Sequence, residues 1–149
     1  MIDRATHRTV LMYRITRDVK AGLEWNAKAD ELGLVANWRA LGETKTRPAV
    51  IFGTSSDRIG TPSGQSYYVT LSKGFGRIAP YAGASYSGYE ERVIFPFGVN
   101  VHLGGPLSAM LINDGVNTHL SATYGHRNLS LTLLLVEREK LGLTLGMTF

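Results

Sequence analysis

The chain has 149 residues, no cysteine, 17 glycines, 7 tyrosines and a formal charge of +4. That is the length of one domain; it excludes a disulfide framework or thiolate metal site, and Lys and Arg are dispersed without the basic block of a nucleic-acid footprint. No run approaches the roughly 20 apolar residues of a membrane helix, and the glycine and tyrosine content suits an all-β chain with tight turns.

The segment Met1 to Arg8 has no apolar h-region and no cleavage pattern, so no secretory signal is read in it. From there the chain alternates almost everywhere and shows almost no helical period. Val19, Ala21, Leu23, Trp25 and Ala27 fall on one face of a strand whose other face carries Lys20, Gly22, Glu24, Asn26 and Lys28. Leu32, Leu34, Ala36, Trp38 and Ala40 then alternate with Gly33, Val35, Asn37 and Arg39. After Arg47 to Gly53 comes the one long connection expected, Thr54 to Gly64, whose composition is that of an exposed loop.

Tyr67, Val69 and Leu71 oppose Ser66, Tyr68, Thr70 and Ser72. Pro80 is expected to begin its strand, and Pro96 to need a bulge or a break, because proline cannot donate to a ladder. Further on, Val116, Thr118, Leu120, Ala122 and Tyr124 alternate with Asn117, His119, Ser121 and Thr123. Leu129, Leu131, Leu133 and Leu135 follow, and then Leu141, Leu143, Leu145, Met147 and Phe149 against Gly142, Thr144, Gly146 and Thr148. Short Gly, Asn and Asp punctuation such as Asn113-Asp114-Gly115 supplies the positive φ of hairpin turns. The pattern predicts an all-β antiparallel meander of about eleven strands, ten to twelve if one is split or merged, forming one domain over residues 1–149.

The C-terminal strand, with its apolar face and terminal Phe149, resembles the closing strand of bacterial outer-membrane β-barrels, where this pattern is read by the barrel-insertion machinery. Arg47 to Gly53, a polar loop, and Tyr67 to Lys73 are similar to a hairpin of uncharacterised outer-membrane barrels and of exopolysaccharide-associated barrels of the YjbH type. The resemblance implies an up-and-down transmembrane β-barrel in the bacterial outer membrane. Leu141, Leu143, Leu145, Met147 and Phe149 would then face lipid and carry the insertion signal. Bacterial barrels have even strand numbers, so an odd count implies a missing N-terminal strand or a miscount.

On the opposite faces, Arg14, Lys20, Glu24, Lys28, Arg39, Arg77, His102 and His119 are expected to line a polar, cationic lumen. Such a lumen favours small anionic solutes in a porin-like pore, while a ladder of charge pairs, with Arg14 and Arg39 serving Glu24, would stiffen a structural barrel. Trp25, Trp38, Tyr67, Tyr86 and Tyr124 are candidates for an aromatic girdle. A soluble β-barrel binding an apolar ligand is the alternative, and it would turn the apolar faces inward.

His119 and Ser121 share one strand face, and their spacing resembles that of outer-membrane lipid A deacylases, which add a glutamate to such a pair. The nearest glutamates, Glu137 and Glu139, fall in a turn, and the pair faces the lumen. The expectation is therefore a non-enzymatic protein with no cofactor and no metal. No P-loop, dinucleotide fingerprint or zinc spacing occurs.

Overall fold

The computed structural model describes residues 8–27, 30–58, 61–137 and 140–148. Lys28, Glu139 and Phe149 lie outside them. Described residues form twelve strands and no helix: β1 (Arg8–Arg14), β2 (Val19–Asn26), β3 (Glu31–Leu41), β4 (Ala49–Ser56), β5 (Gln65–Ser72), β6 (Ile78–Ser87), β7 (Arg92–Ile94), β8 (Phe97–Gly104), β9 (Leu107–Asn113), β10 (Thr118–His126), β11 (Leu129–Val136) and β12 (Lys140–Met147). All belong to one antiparallel up-and-down sheet. Six of the strands are eight residues long, shorter than the ~9 to 11 residues of a tilted bilayer-crossing strand.

β7 and β8 both pair with β6 and occupy one position in the sheet, so the meander has eleven positions. Phe95 and Pro96 separate the two halves, and the carbonyl of Pro96 accepts a hydrogen bond from the Gly83 amide at 2.8 Å across the break. The missing donor of Pro96 thus falls where the ladder is already interrupted. Pro80 is the third residue of β6, not its first, and pairs with Val99. Its carbonyl accepts from Lys73 at 3.1 Å, where the β5–β6 hairpin begins to open.

The sheet is not closed into the barrel expected from the sequence. Among the described residues β1 pairs with β2 and β12 with β11, and these two end strands do not pair with each other. In an antiparallel meander of eleven positions the first and last strands run parallel, so the antiparallel rung that closes an even-numbered barrel cannot form between them.

Polarity is distributed by face. Cross-strand ladders such as Val99–Leu111–Leu120–Leu135–Leu141 put large apolar side chains on one face, where Leu11, Leu145 and Leu141 are 73%, 73% and 82% exposed. The other face holds the buried polar side chains Glu24, Asn26, Ser66, Ser85, Ser87 and His119. Only Val35, Ala49, Ile94 and Val136 are buried apolar residues among those described. This inner face is concave, because Arg8 of β1 and Asp114 beyond β9 line one cavity with residues of β4, β5, β6 and β7.

Two tyrosines fill the inner face by lying over glycines of the neighbouring strand. A Cβ on Gly53 would come within 2.5 Å of the Tyr68 ring and hydroxyl, and one on Gly98 within 2.6 Å of the Tyr81 ring. Both glycines are in register with the tyrosine that covers them, so the missing side chain makes room for each ring.

Candidate functional site

The rim bearing the β2–β3, β4–β5, β6–β7, β9–β10 and β11–β12 connections, called the upper rim, gathers most of the buried polar groups. Asp57 follows β4 directly, and its Oδ2 accepts from the Ser87 hydroxyl at 2.8 Å and the Tyr89 amide at 2.9 Å. Ser87 in turn accepts from the Glu90 amide at 3.0 Å. The Arg58 guanidinium pairs with Glu90 Oε1, donating from Nε at 3.1 Å, and Arg92 reaches Glu90 Oε2 at 3.7 Å. The exposed loop expected over Thr54 to Gly64 begins later, since Thr54 to Ser56 belong to β4, and Asp57 and Arg58 are tied to the β6–β7 turn rather than left free in solvent.

Glu24 is 2% exposed and its Oε2 meets Arg8 Nη2 at 2.6 Å. The partner is Arg8, not Arg14 or Arg39, because the register sets Val10 opposite Glu24 and so places Arg8 two residues away on the same face. Arg14 stands instead opposite Lys20, both exposed at the other end of the hairpin. Arg39 leaves the inner face for the lower rim, where Nε donates to Asp18 Oδ1 at 2.8 Å. Arg77 lies in the β5–β6 turn and is exposed, off the strand face. His102 is on the inner face opposite Ser108 but near the end of β8 and exposed.

His119 is 1% exposed. Its Nδ1 accepts the Glu137 amide at 3.3 Å, which leaves the ring proton on Nε2, 3.0 Å from Asp114 Oδ2. The other oxygen of Asp114 accepts the amides of Val116 and Asn117 at 2.9 and 2.7 Å, closing the β9–β10 turn. Burial pushes the Asp114 carboxyl up, and the hydrogen bonds from His119, Asn117 and Val116 outweigh it, so the net shift is downward. Both imidazole nitrogens are engaged, and neither is available to take a proton from Ser121.

Below the rim the concave inner face forms an open pocket of about 320 Å³. Its lining includes Arg8, Asp57, Arg58 and Asp114, the hydroxyl-bearing Thr70, Tyr81 and Ser85, and the apolar Ile94, Pro96 and Ile112. No group of three or more His, Asp or Glu side chains among the described residues is arranged to hold a metal.

The girdle candidates all lie on the outer face. Trp25, Tyr67 and Tyr86 are near the upper rim, while Trp38 and Tyr124 are nearer the lower one. Trp38 stacks on Phe52 across β3 and β4, with ring centroids 5.7 Å apart. Leu141, Leu143, Leu145 and Met147 form the exposed outer face of β12.

Asp57, Arg58, Glu90 and Asp114 were not legible as site residues. Asp114 is marked only as part of a turn signal, yet an aspartate one residue beyond a strand and five before an inward histidine is the pattern that this pair uses. These features define an antiparallel sheet with a polar concave face and an apolar exposed one. Comparison with protein-family models, with curated proteins and with solved structures gave no match.

Proposed function

We propose that the chain is an integral outer-membrane β-protein, porin-like or structural, whose apolar face meets lipid and whose concave polar face forms a lumen. The observation that carries this reading is the inversion of polarity: Glu24, Asn26, Ser87 and His119 are buried while Leu129, Leu131 and Leu133 of β11 and Leu141, Leu143 and Leu145 of β12 stand exposed. In water a contiguous apolar face of this size is a liability, whereas in lipid it is the side that needs no covering. Aromatic residues toward both rims of the outer face suit two interfacial belts.

Unpaired backbone groups cost several kcal/mol each in hydrocarbon, so the membrane form requires the outer edges of β1 and β12, which have no partner strand among the described residues, to be satisfied. A single interposed strand, antiparallel to both, would complete a closed barrel. In this reading β12 also presents the apolar face that insertion machinery would engage.

The test is refolding with and without detergent, followed by circular dichroism and gel mobility of boiled and unboiled samples. The expected result is a β-rich, heat-shifted species that forms only in detergent. A β-rich monomer that is soluble without detergent overturns the proposal.

A further inference from the structure

We propose that the inner cavity is a binding site for a small, uncharged, polyhydroxylated solute, in the size range from glycerol to a hexose. The inference rests on reading the polar face as an interior, and it extends that reading from a lumen to a site with a ligand class.

The volume, about 320 Å³, lies at the lower end of the ~300 to 1,000 Å³ typical of small-molecule pockets. Charge then narrows the ligand. The charged lining residues and their ion-pair partners are Arg8, Arg58 and Arg92 against Glu24, Asp57, Glu90 and Asp114. Three guanidiniums facing four carboxylates leave no positive excess to concentrate an anion. A cation fares no better, since Asp57 and Asp114 already accept amide, hydroxyl and imidazole donors.

What remains available is neutral. Tyr81, Thr70 and Ser85 fall on three successive inward rungs of the β5–β6 pair, because Thr70 is in register with Gly83 between the other two. Four residues of strand separate Tyr81 from Ser85, so their Cα positions lie roughly 13 Å apart. All three residues line the pocket, and their hydroxyls make no hydrogen bond with another protein group among the described residues. Each can donate one hydrogen bond and accept two. Ile94, Pro96 and Ile112 provide an apolar wall in the same cavity. A polyol or pyranose carries the same two surfaces, a hydroxyl edge and a C–H face.

The experiment is saturation-transfer difference NMR with D-glucose, alongside a phosphorus-31 titration with inorganic phosphate, on the folded protein in whichever medium it folds. Wild type should transfer saturation to glucose ring protons. Tyr81→Phe keeps the ring over Gly98 and removes only the hydroxyl, and it should cut the transfer at least threefold. Ser85→Ala should weaken it similarly, and the outer-face control Tyr124→Phe should not. Absence of transfer in wild type, full transfer in a Tyr81→Phe variant whose dichroism is unchanged, or phosphate binding stronger than glucose binding would each overturn the assignment. Gel mobility of the same samples keeps the two proposals apart. A heat-shifted species without glucose transfer overturns the site alone, and transfer in a detergent-free monomer overturns the membrane reading alone.

Discussion

Asp114 Oδ2 stands 3.0 Å from His119 Nε2, so a turn carboxylate and a buried strand imidazole fasten the β9–β10 connection to the inner face. The Glu137 amide completes the arrangement from the β11–β12 turn, at 3.3 Å from Nδ1. Three strands are thus held at the upper rim through one ring. Asp114→Asn removes the charge from this hub while keeping its shape. It should lower stability at neutral pH by about 1.5 to 3 kcal/mol, the usual contribution of hydrogen bonds to a charged group, measured as a shift in denaturation midpoint.

The same carboxyl predicts an acid limb. Its pKa in the folded protein lies below its ordinary value of 3.8, so the unfolded chain binds the proton more readily. The stability that it contributes is complete at pH values above 3.8 and is lost as the pH falls through the lower folded value. Denaturation midpoints taken between neutral pH and pH 2 should therefore show a drop in wild type that is smaller in Asp114→Asn. Superimposable curves would remove Asp114 as the cause.

A structural role for His119 separates cleanly from a catalytic one. His119→Ala leaves Asp114 without its imidazole donor and opens a void in a buried site, and a loss of about 2 to 3 kcal/mol is expected. Ser121 makes no hydrogen bond with His119 among the described residues, and Ser121→Ala should stay within about 0.5 kcal/mol of wild type. Ester hydrolysis should be at background in all three proteins. Turnover abolished by either substitution would restore the nucleophile reading.

Buried charge at the other side of the cavity gives a coupled pair. Arg8→Met strands the 2%-exposed Glu24 carboxylate and should destabilise the fold by about 2 to 3 kcal/mol, less than for a fully buried pair because Arg8 is partly exposed. Arg8→Met with Glu24→Leu removes both charges and should recover most of that loss. Additive losses in the double variant would show that the pair is not coupled.

How far the sequence discloses this fold follows from which interactions are local. Alternation with period two places nearly every strand, since each run from Val19 to Met147 must turn one set of side chains to one face. Pro96 likewise marks its own break. Closure is different, because it depends on the parity of the whole meander and on what satisfies β1 and β12, which no single segment carries. The partners of the lumen candidates at strand ends escape the sequence for a related reason. Arg39 lies beside Asp18 once the β2–β3 register is set, and Arg77 falls in a turn that the alternation reaches only at its margin. The 42–48 connection also escapes notice, though Glu43 accepts from the Gly74 amide at 3.1 Å and Lys73 donates to the Lys45 carbonyl at 2.8 Å.

Packing of Tyr68 onto Gly53 is testable with a single methyl group. Gly53→Ala would bring its Cβ within 2.5 Å of the Tyr68 ring and 2.6 Å of the Ala36 carbonyl oxygen, where the backbone cannot yield cheaply. A loss of about 1 to 3 kcal/mol is expected for overpacking of this kind. Gly42→Ala meets nothing within 4 Å and serves as the control, with little or no change in the denaturation midpoint. Equal effects at both positions would mean that glycine's backbone freedom, not the ring above Gly53, sets the requirement.

The medium that faces the leucines is decided most directly by a charge placed among them. Leu133 sits mid-strand in β11, in register with Ala122 and Leu143, and is 54% exposed. Leu133→Lys in water adds an ammonium to an already exposed site and should move stability by no more than about 0.5 kcal/mol. In a bilayer the same ammonium stands in the apolar band, where it costs about 2 to 4 kcal/mol at the midplane and far less near the interfaces. Leu129, close to the lower rim on the same face, provides the depth comparison. If the outer face meets lipid, Leu133→Lys should strongly reduce folding into detergent or vesicles while Leu129→Lys is nearly tolerated. A flat response along β11 would mean that these leucines face water or another protein surface, and the inverted polarity of the sheet would then need a different partner.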